Sequence, residues 1–257
     1  MQDLNVAVVQ ANQIWENKTA NLSNYEALLE NISTIDLILL PEMFHTGFSM
    51  NVEQLAETMD DSIGIDWLKL TAKSKNAAIY TSLIIQENGS YFNRGVFIKP
   101  DGAITFYDKR KLFGLGGESD FFKAGSSETI VAYKNWKFQL QICYDLRFPE
   151  IVRNSISPNQ SANYDVILYV ANWPEKRISH WKTLLTARAI ENQCCVLGVN
   201  RVGEDGKGLI YSGESRFIDG IGTEISLTKD KEMVQIVTLQ NKELIEIRKT
   251  LPFLKDR

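Results

Sequence analysis

A chain of 257 residues, 44% hydrophobic and 23% charged, has the make-up of an ordinary globular protein and enough length to bury an ample core. Its net charge of −4 leaves no electrostatic footprint for nucleic acid or an anionic membrane, so neither is expected as a partner. No apolar run is long enough for a bilayer, no basic-then-apolar leader opens the sequence, and three cysteines, two of them adjacent at Cys194-Cys195, make no disulfide framework. A reducing, cytoplasmic compartment is the expectation.

Leu4–Gln10 reads as a first strand, and 17–32 as a helix that sets Leu22, Tyr25, Leu28, Leu29 and Ile32 at helical spacing. The wholly apolar run 36–40 suits a central strand covered on both faces; Pro41 ends it and Glu42 sits just beyond. A second helix over 61–75 puts Ile65, Leu68 and Ala72 on one side. Strands follow over 77–86, 94–99 and 103–107, the last two joined by the turn Pro100-Asp101-Gly102. Lys109-Arg110-Lys111 comes directly after, then a glycine-rich loop at Gly114-Leu-Gly-Gly117.

From Trp136 to Ile142 apolar and polar residues alternate, as in a strand buried on one face, and Cys143 continues the polar parity. Pro149 suits the first turn of a helix, so the stretch predicts strand, sharp turn and helix with a thiol at the turn. A helix N-terminus or a cation there would lower the thiol's pKa. A polar loop over 157–163 leads to a strand at 165–171 that ends in Asn172-Trp173-Pro174. The next helix, 177–192, aligns Trp181, Leu184, Leu185 and Arg188. Cys195–Asn200 is again a strand, 215–218, 223–227 and Met233–Leu239 are short strands of a closing sheet, and Asn241–Thr250 is a final helix. Hairpins and successive strands, without simple alternation, predict two sheets packed together with helices outside them, in one domain over 1–257.

Three reactive residues share one address. Glu42, Lys109 and Cys143 each follow a strand, and strand ends in sheet-based folds gather at one ligand-binding rim. A carboxylate can serve a thiol as general base, and an ammonium can stabilise both thiolate and oxyanion. The backbone N–H of Tyr144 is a candidate second oxyanion donor. Each has a plainer reading: Glu42 as an exposed strand-end carboxylate, Lys109 as solvated surface like Lys111, Cys143 as a small buried hydrophobe. Cys194 and Cys195 read as core. Only two histidines occur, His45 and His180, which disfavours a Cys–His dyad, although the nearness of His45 to Glu42 leaves it open. Metal-ligand spacing, Gly-x-Gly-x-x-Gly and a P-loop are missing, so no metal or cofactor is expected.

Leu39-Leu-Pro-Glu-Met-Phe44, Tyr107-Asp-Lys-Arg-Lys-Leu-Phe113 and Ile142-Cys-Tyr-Asp-Leu-Arg-Phe-Pro-Glu150 resemble, in order and spacing, the three catalytic blocks of the nitrilase superfamily of carbon–nitrogen hydrolases. Ala187-Arg-Ala-Ile-Glu-Asn-Gln193, Asn200-Arg201 and the stretch from Ser212-Gly213 to Gly222 extend the likeness over nearly the whole chain. The resemblance implies an α/β fold, an α-β-β-α sandwich that commonly dimerises into four layers, and a Glu42–Lys109–Cys143 triad without cofactor. It implies that Glu118, in Glu118-Ser-Asp-Phe-Phe-Lys-Ala-Gly125, orients Lys109 or the substrate. The family usually has histidine where Lys111 stands. Pro41-Glu-Met-Phe-His-Thr-Gly-Phe-Ser49, Asn172-Trp-Pro174 and Leu251-Pro-Phe-Leu254 look most like the omega-amidase branch, which hydrolyses the terminal amide of 2-oxo dicarboxylic acid monoamides. The rivals are another amidase or an N-carbamoylase of the superfamily and, in a different class, a catalytically dead binding protein. For an omega-amidase, Phe44, Phe48 and Trp173 are candidate pocket walls, and Arg147, Lys176, Arg177 and Arg201 are candidate cations for the substrate carboxylate. A homodimer or larger even assembly is expected, with the helix over 177–192 and its indole Trp181 offering a candidate surface.

Overall fold

The computed structural model describes residues 2–157 and 161–257. The strands are β1 (Leu4–Gln10), β2 (Leu37–Leu39), β3 (Ala78–Glu87), β4 (Ser90–Ile98), β5 (Ile104–Asp108), β6 (Ile130–Tyr133), β7 (Trp136–Ile142), β8 (Val166–Ala171), β9 (Cys195–Asn200), β10 (Val202–Glu204), β11 (Ile210–Ser212), β12 (Arg216–Ile218), β13 (Glu224–Ser226) and β14 (Met233–Leu239). The helices are α1 (Lys18–Leu29), α2 (Val52–Leu55), α3 (Ile63–Lys75), α4 (Glu118–Phe121), α5 (Ile178–Asn192) and α6 (Asn241–Thr250).

Two mixed sheets result, ordered β14-β1-β2-β3-β4-β5 and β13-β12-β9-β8-β7-β6, with β10–β11 as a separate hairpin. The parallel pairs β1–β2 and β2–β3 are bridged by α1 and α3, and β8–β9 by α5. Period two decides which residue goes where. In β2, Leu37 and Leu39 enter the core between the sheets with Phe138, Leu140 and Ile142, whereas Ile38 joins Tyr25, Leu29, Ile65 and Leu68 on the helix side. The Tyr80 hydroxyl donates across the interface to the Gln141 carbonyl at 3.0 Å, which fixes one sheet on the other. On the second sheet α5 packs close because Gly198 has no side chain; a Cβ there would lie 2.6 Å from Leu185 and 2.8 Å from Trp181. The layers are those of the α-β-β-α sandwich.

Sequence and structure differ in several places, the short helices α2 and α4 and the earlier start of β4 among them. No regular helix follows Cys143: two 3₁₀ turns, Cys143–Arg147 and Pro149–Ile151, take its place. Proline holds Phe148 out of the helical region (φ −117°, ψ 85°), which breaks the run into two. The strand β6 and the hairpin β10–β11 were not anticipated. Of the polar loop expected over 157–163, residues 158–160 lie outside the described residues.

Candidate active site

The site is built on strand ends. Glu42 follows β2 after Leu40-Pro41, Lys109 follows β5 directly, and Cys143 follows β7 directly. At Cys143 the backbone turns into the left-handed region (φ 43°), where a side chain costs energy and persists only under outside restraint. Asp145, fully buried, supplies that restraint. Its Oδ2 accepts from the Ile142 N–H (3.0 Å) and the Tyr107 hydroxyl (2.9 Å), and its Oδ1 from the Lys111 N–H (2.9 Å). One carboxyl thus ties the cysteine elbow to the segment that carries Lys109. Burial pushes Asp145 up to about 6 against these donors and Lys109.

Lys109 is the centre of the charge arrangement. Its Nζ lies 2.9 Å from Glu42 Oε1 and 2.9 Å from Glu118, and all three side chains are buried. Burial works against the ammonium, but Glu118, Glu42 and Cys143 outweigh it and hold Lys109 above the usual lysine value. Asn93 Nδ2 donates to the same two carboxylates, at 2.8 Å to Glu42 Oε1 and 3.0 Å to Glu118 Oε1. Glu42 Oε2 accepts from the Asn172 N–H at 2.9 Å, and Glu118 Oε2 from the Phe113 N–H at 2.6 Å. The Asn172 side chain and Gln13 Nε2 hold the Glu42 carbonyl at 2.6 and 3.0 Å.

Cys143 corrects one expectation. Burial first, and then the Glu42 charge, push its thiol well above the usual value; Lys109 pulls the other way and does not win. A nucleophilic role for this group would require a base at the moment of reaction. His45 cannot be that base. It stacks on Phe44 (centroids 4.8 Å apart, 17° between planes) with Nε2 3.2 Å from Glu57 Oε1, and burial holds its pKa below the usual value.

A pocket of about 310 Å³ opens beside Cys143 and Lys109. Its walls include Phe48, Phe113 and Trp173, and it holds two guanidiniums laid on aromatic faces. Arg147 lies 4.6 Å over Trp173 and Arg177 lies 5.3 Å over Phe113. No carboxylate among the described residues forms an ion pair with either. Asp205, which also lines the pocket, is occupied: Oδ1 accepts the N–H groups of Lys207 and Leu209, and Oδ2 the Tyr211 hydroxyl. Burial lowers Arg147 from the usual arginine value, and Arg177 adds to this. Phe44 corrects a second expectation. The turn at Met43 (φ 45°) sends it away from Glu42 into the helix-side core with Tyr25 and Trp67, so it forms no pocket wall. Arg201 is consumed by the Gln13 and Glu204 carbonyls, and Lys176 is exposed outside the pocket. Lys111 lies 3.4 Å from Glu150 and 4.6 Å over Phe148, also outside it.

The carbon-nitrogen hydrolase family model matches residues 5–249. The chain belongs to this family. The omega-amidase YafV of Escherichia coli K12 is 39% identical over 257 residues, covering 100% of this chain and 97% of its own. The 2-oxoglutaramate amidase of Bacillus subtilis is 33% identical, covering 92% and 90%. The crystal structure of a CN-hydrolase superfamily protein from Xanthomonas campestris, with an arsenic adduct in its active site, superposes with a TM-score of 0.97 at 40% identity, covering 100% and 98%. In this carbon–nitrogen hydrolase the sequence reading passed over three residues. Asp145 and Asn172 stood inside recognised blocks without a role, and Asn93 fell one residue outside a strand expected to begin at 94. Its signal was parity: Asn93 is on the face of β4 that carries the core residue Phe97, where an amide needs a buried partner.

Proposed function

We propose that this carbon–nitrogen hydrolase is an amidase of the omega-amidase type, releasing ammonia from the terminal amide of a small 2-oxo dicarboxylic acid monoamide through a thioester on Cys143. The observation that carries the chemistry is the buried ammonium of Lys109, 2.9 Å from Glu42 and Glu118, in one pocket with the buried Cys143. Glu42 takes the S–H proton as sulfur attacks the amide carbon. Lys109 and the Tyr144 N–H stabilise the oxyanion, a charge that exists only after attack. Glu42 gives the proton to the leaving nitrogen, ammonia departs, and the thioester remains. A water molecule then loses a proton to Glu42 as it attacks the thioester, and the acid is released with the thiol restored. Glu118 orients Lys109.

For the substrate, the support is whole-chain similarity to omega-amidases together with the pocket guanidiniums of Arg147 and Arg177, which pair with no carboxylate among the described residues, Arg147 Nη1 lying 3.2 Å from His180 Nδ1. They offer a carboxylate planar, charge-assisted donors, and Phe48 and Trp173 supply apolar walls. Residues 1–257 act as one hydrolase domain, in a homodimer or larger even assembly. Three free cysteines fit a reducing cytoplasm. Mass spectrometry of enzyme mixed with 2-oxoglutaramate should find a transient acyl adduct on Cys143. Its kcat/KM should exceed that for butyramide by on the order of a hundredfold or more, because an uncharged ligand leaves both guanidiniums unmatched. Equal efficiencies would remove the omega-amidase reading. Light scattering should return an even multiple of 29.2 kDa, and the monomer mass would count against the assembly.

A further inference from the structure

Asn93 is buried on β4 at 1% exposure, and its one side-chain nitrogen bridges two carboxylate oxygens, Glu42 Oε1 at 2.8 Å and Glu118 Oε1 at 3.0 Å. Lys109 Nζ approaches the same two atoms at 2.9 Å each. The Asn93 carbonyl also accepts the Lys109 N–H at 3.0 Å, so this residue holds both main chain and carboxylates of the cluster. Its Oδ1 has no hydrogen-bond partner among the described residues. Flipping the amide would turn that oxygen onto two carboxylates, so the orientation is fixed by charge.

The consequence follows from counting lone pairs. A carboxylate oxygen has two acceptor sites. On Glu42, Oε1 has both filled, by Asn93 and Lys109, whereas Oε2 accepts one bond, from the Asn172 N–H, and keeps one site. We infer that Asn93 is a positioning residue that makes Glu42 a one-sided base: with Oε1 saturated, the proton of Cys143, and later that of water, goes to Oε2. A neutral donor is the chemistry this needs. A cation would cancel the cluster's remaining negative charge and weaken the base, and an acid would add a third carboxylate around one ammonium.

This inference rests on Glu42 being the base, and the test separates the two. kcat/KM is measured against pH for the wild type and for Asn93→Ala, Asn93→Ser and Asn93→Asp, alongside iodoacetamide alkylation of Cys143 without substrate. Removing the donor lets Glu42 hold a proton at higher pH, and protonated Glu42 cannot take the thiol proton. The acid limb should therefore move to higher pH in Asn93→Ala, further in Asn93→Asp, and less in Asn93→Ser, whose hydroxyl serves one carboxylate. The alkylation profiles should move in the same order. In Asn93→Ala kcat should fall by on the order of ten- to a hundredfold with KM little changed, as for a lost general-base contribution. A lowered melting temperature with the acid limb unmoved would make Asn93 merely structural and overturn the inference. If Asn93→Ala does not fold, the Asn93→Ser limb decides alone. Glu42→Gln is the control: substantial retained activity with an intact acid limb would sink the base reading itself, whereas an inactive Glu42→Gln beside an unmoved Asn93→Ala limb would sink only the role of Asn93.

Discussion

Removing the ammonium while keeping its volume tests the charge arrangement most directly. In Lys109→Met, Glu42 and Glu118 stay buried, each having lost a cation at 2.9 Å. At an effective dielectric of about 20, one such contact is worth about 6 kcal/mol of gross attraction. The original desolvation cost offsets much of it, and breaking a buried pair typically destabilises by about 3–5 kcal/mol. The loss here falls in that range because neutral donors remain on both carboxylates: Asn93 on each, the Asn172 N–H on Glu42 and the Phe113 N–H on Glu118. Two carboxylates around one site without a cation cannot both stay ionised, so one takes up a proton on acidification and the deficit shrinks. The assay is urea unfolding followed by tryptophan fluorescence, since Trp136 and Trp181 are fully buried, for both proteins at about pH 8 and about pH 5.5. The variant should be about 3–5 kcal/mol less stable at the higher pH, and clearly less so at the lower. A deficit under about 1 kcal/mol, or one equal at both pH values, would refute a buried ammonium held between two ionised carboxylates.

Cys143→Ala should lose all turnover with little change in unfolding free energy; ammonia release by the purified variant would end the covalent mechanism. Lys109→Arg should fail as well, since a planar fork cannot occupy the place of a compact ammonium, whereas Lys111→His should keep near-normal rates because Lys111 lies outside the pocket. Equal losses in the two would mean the wrong lysine has been assigned. Asp145 stands at about 6 in the fold against an ordinary 3.8, so its contribution is fully present below 3.8 and is lost as pH rises through 6. That is about 3 kcal/mol in all at 1.36 kcal/mol per pH unit, of which roughly 2.4 kcal/mol is lost between about pH 4 and about pH 7.5, and denaturation at those two values should show the wild type losing this much relative to non-titrating Asp145→Asn; a flat difference would show an Asp145 that never holds the proton. Arg147→Met should raise KM for 2-oxoglutaramate by ten- to a hundredfold, the share of one charge-assisted contact, and leave butyramide hydrolysis nearly unchanged; parallel losses on both would remove the carboxylate role.

The layers were legible because period two and helical spacing report burial, and burial decides these elements. Cys195–Asn200, Met233–Leu239 and Asn241–Thr250 have the bounds expected of them. The hairpin β10–β11 was not legible, since its strands have three residues each and too few alternations to register. Glu42, Lys109 and Cys143 could be grouped by their shared place after strands. Their pKa logic could not, because whether burial or the cation wins at Cys143 depends on distances that no spacing encodes. Phe44 shows the same limit in small: adjacency to Glu42 suggested a pocket wall, and one left-handed residue between them reversed the direction. Among the four cations considered for the substrate, only Arg147 and Arg177 reach the pocket, a choice that rests on three-dimensional packing alone.

Both oxygens of Glu118 lie 2.9 Å from Lys109 Nζ, Oε2 also accepts the Phe113 N–H, and the Phe113 ring is pressed against Gly116, where an added Cβ would come within 2.6 Å. That wall of the pocket is therefore wired to the ammonium, and a library randomised over 113–117 would scatter turnover together with selectivity. The hairpin that carries Lys207 and Leu209 also lines the pocket, and no hydrogen bond or ion pair among the described residues joins either side chain to Lys109. A breeder of new amide preferences, natural or in the laboratory, has its freedom there.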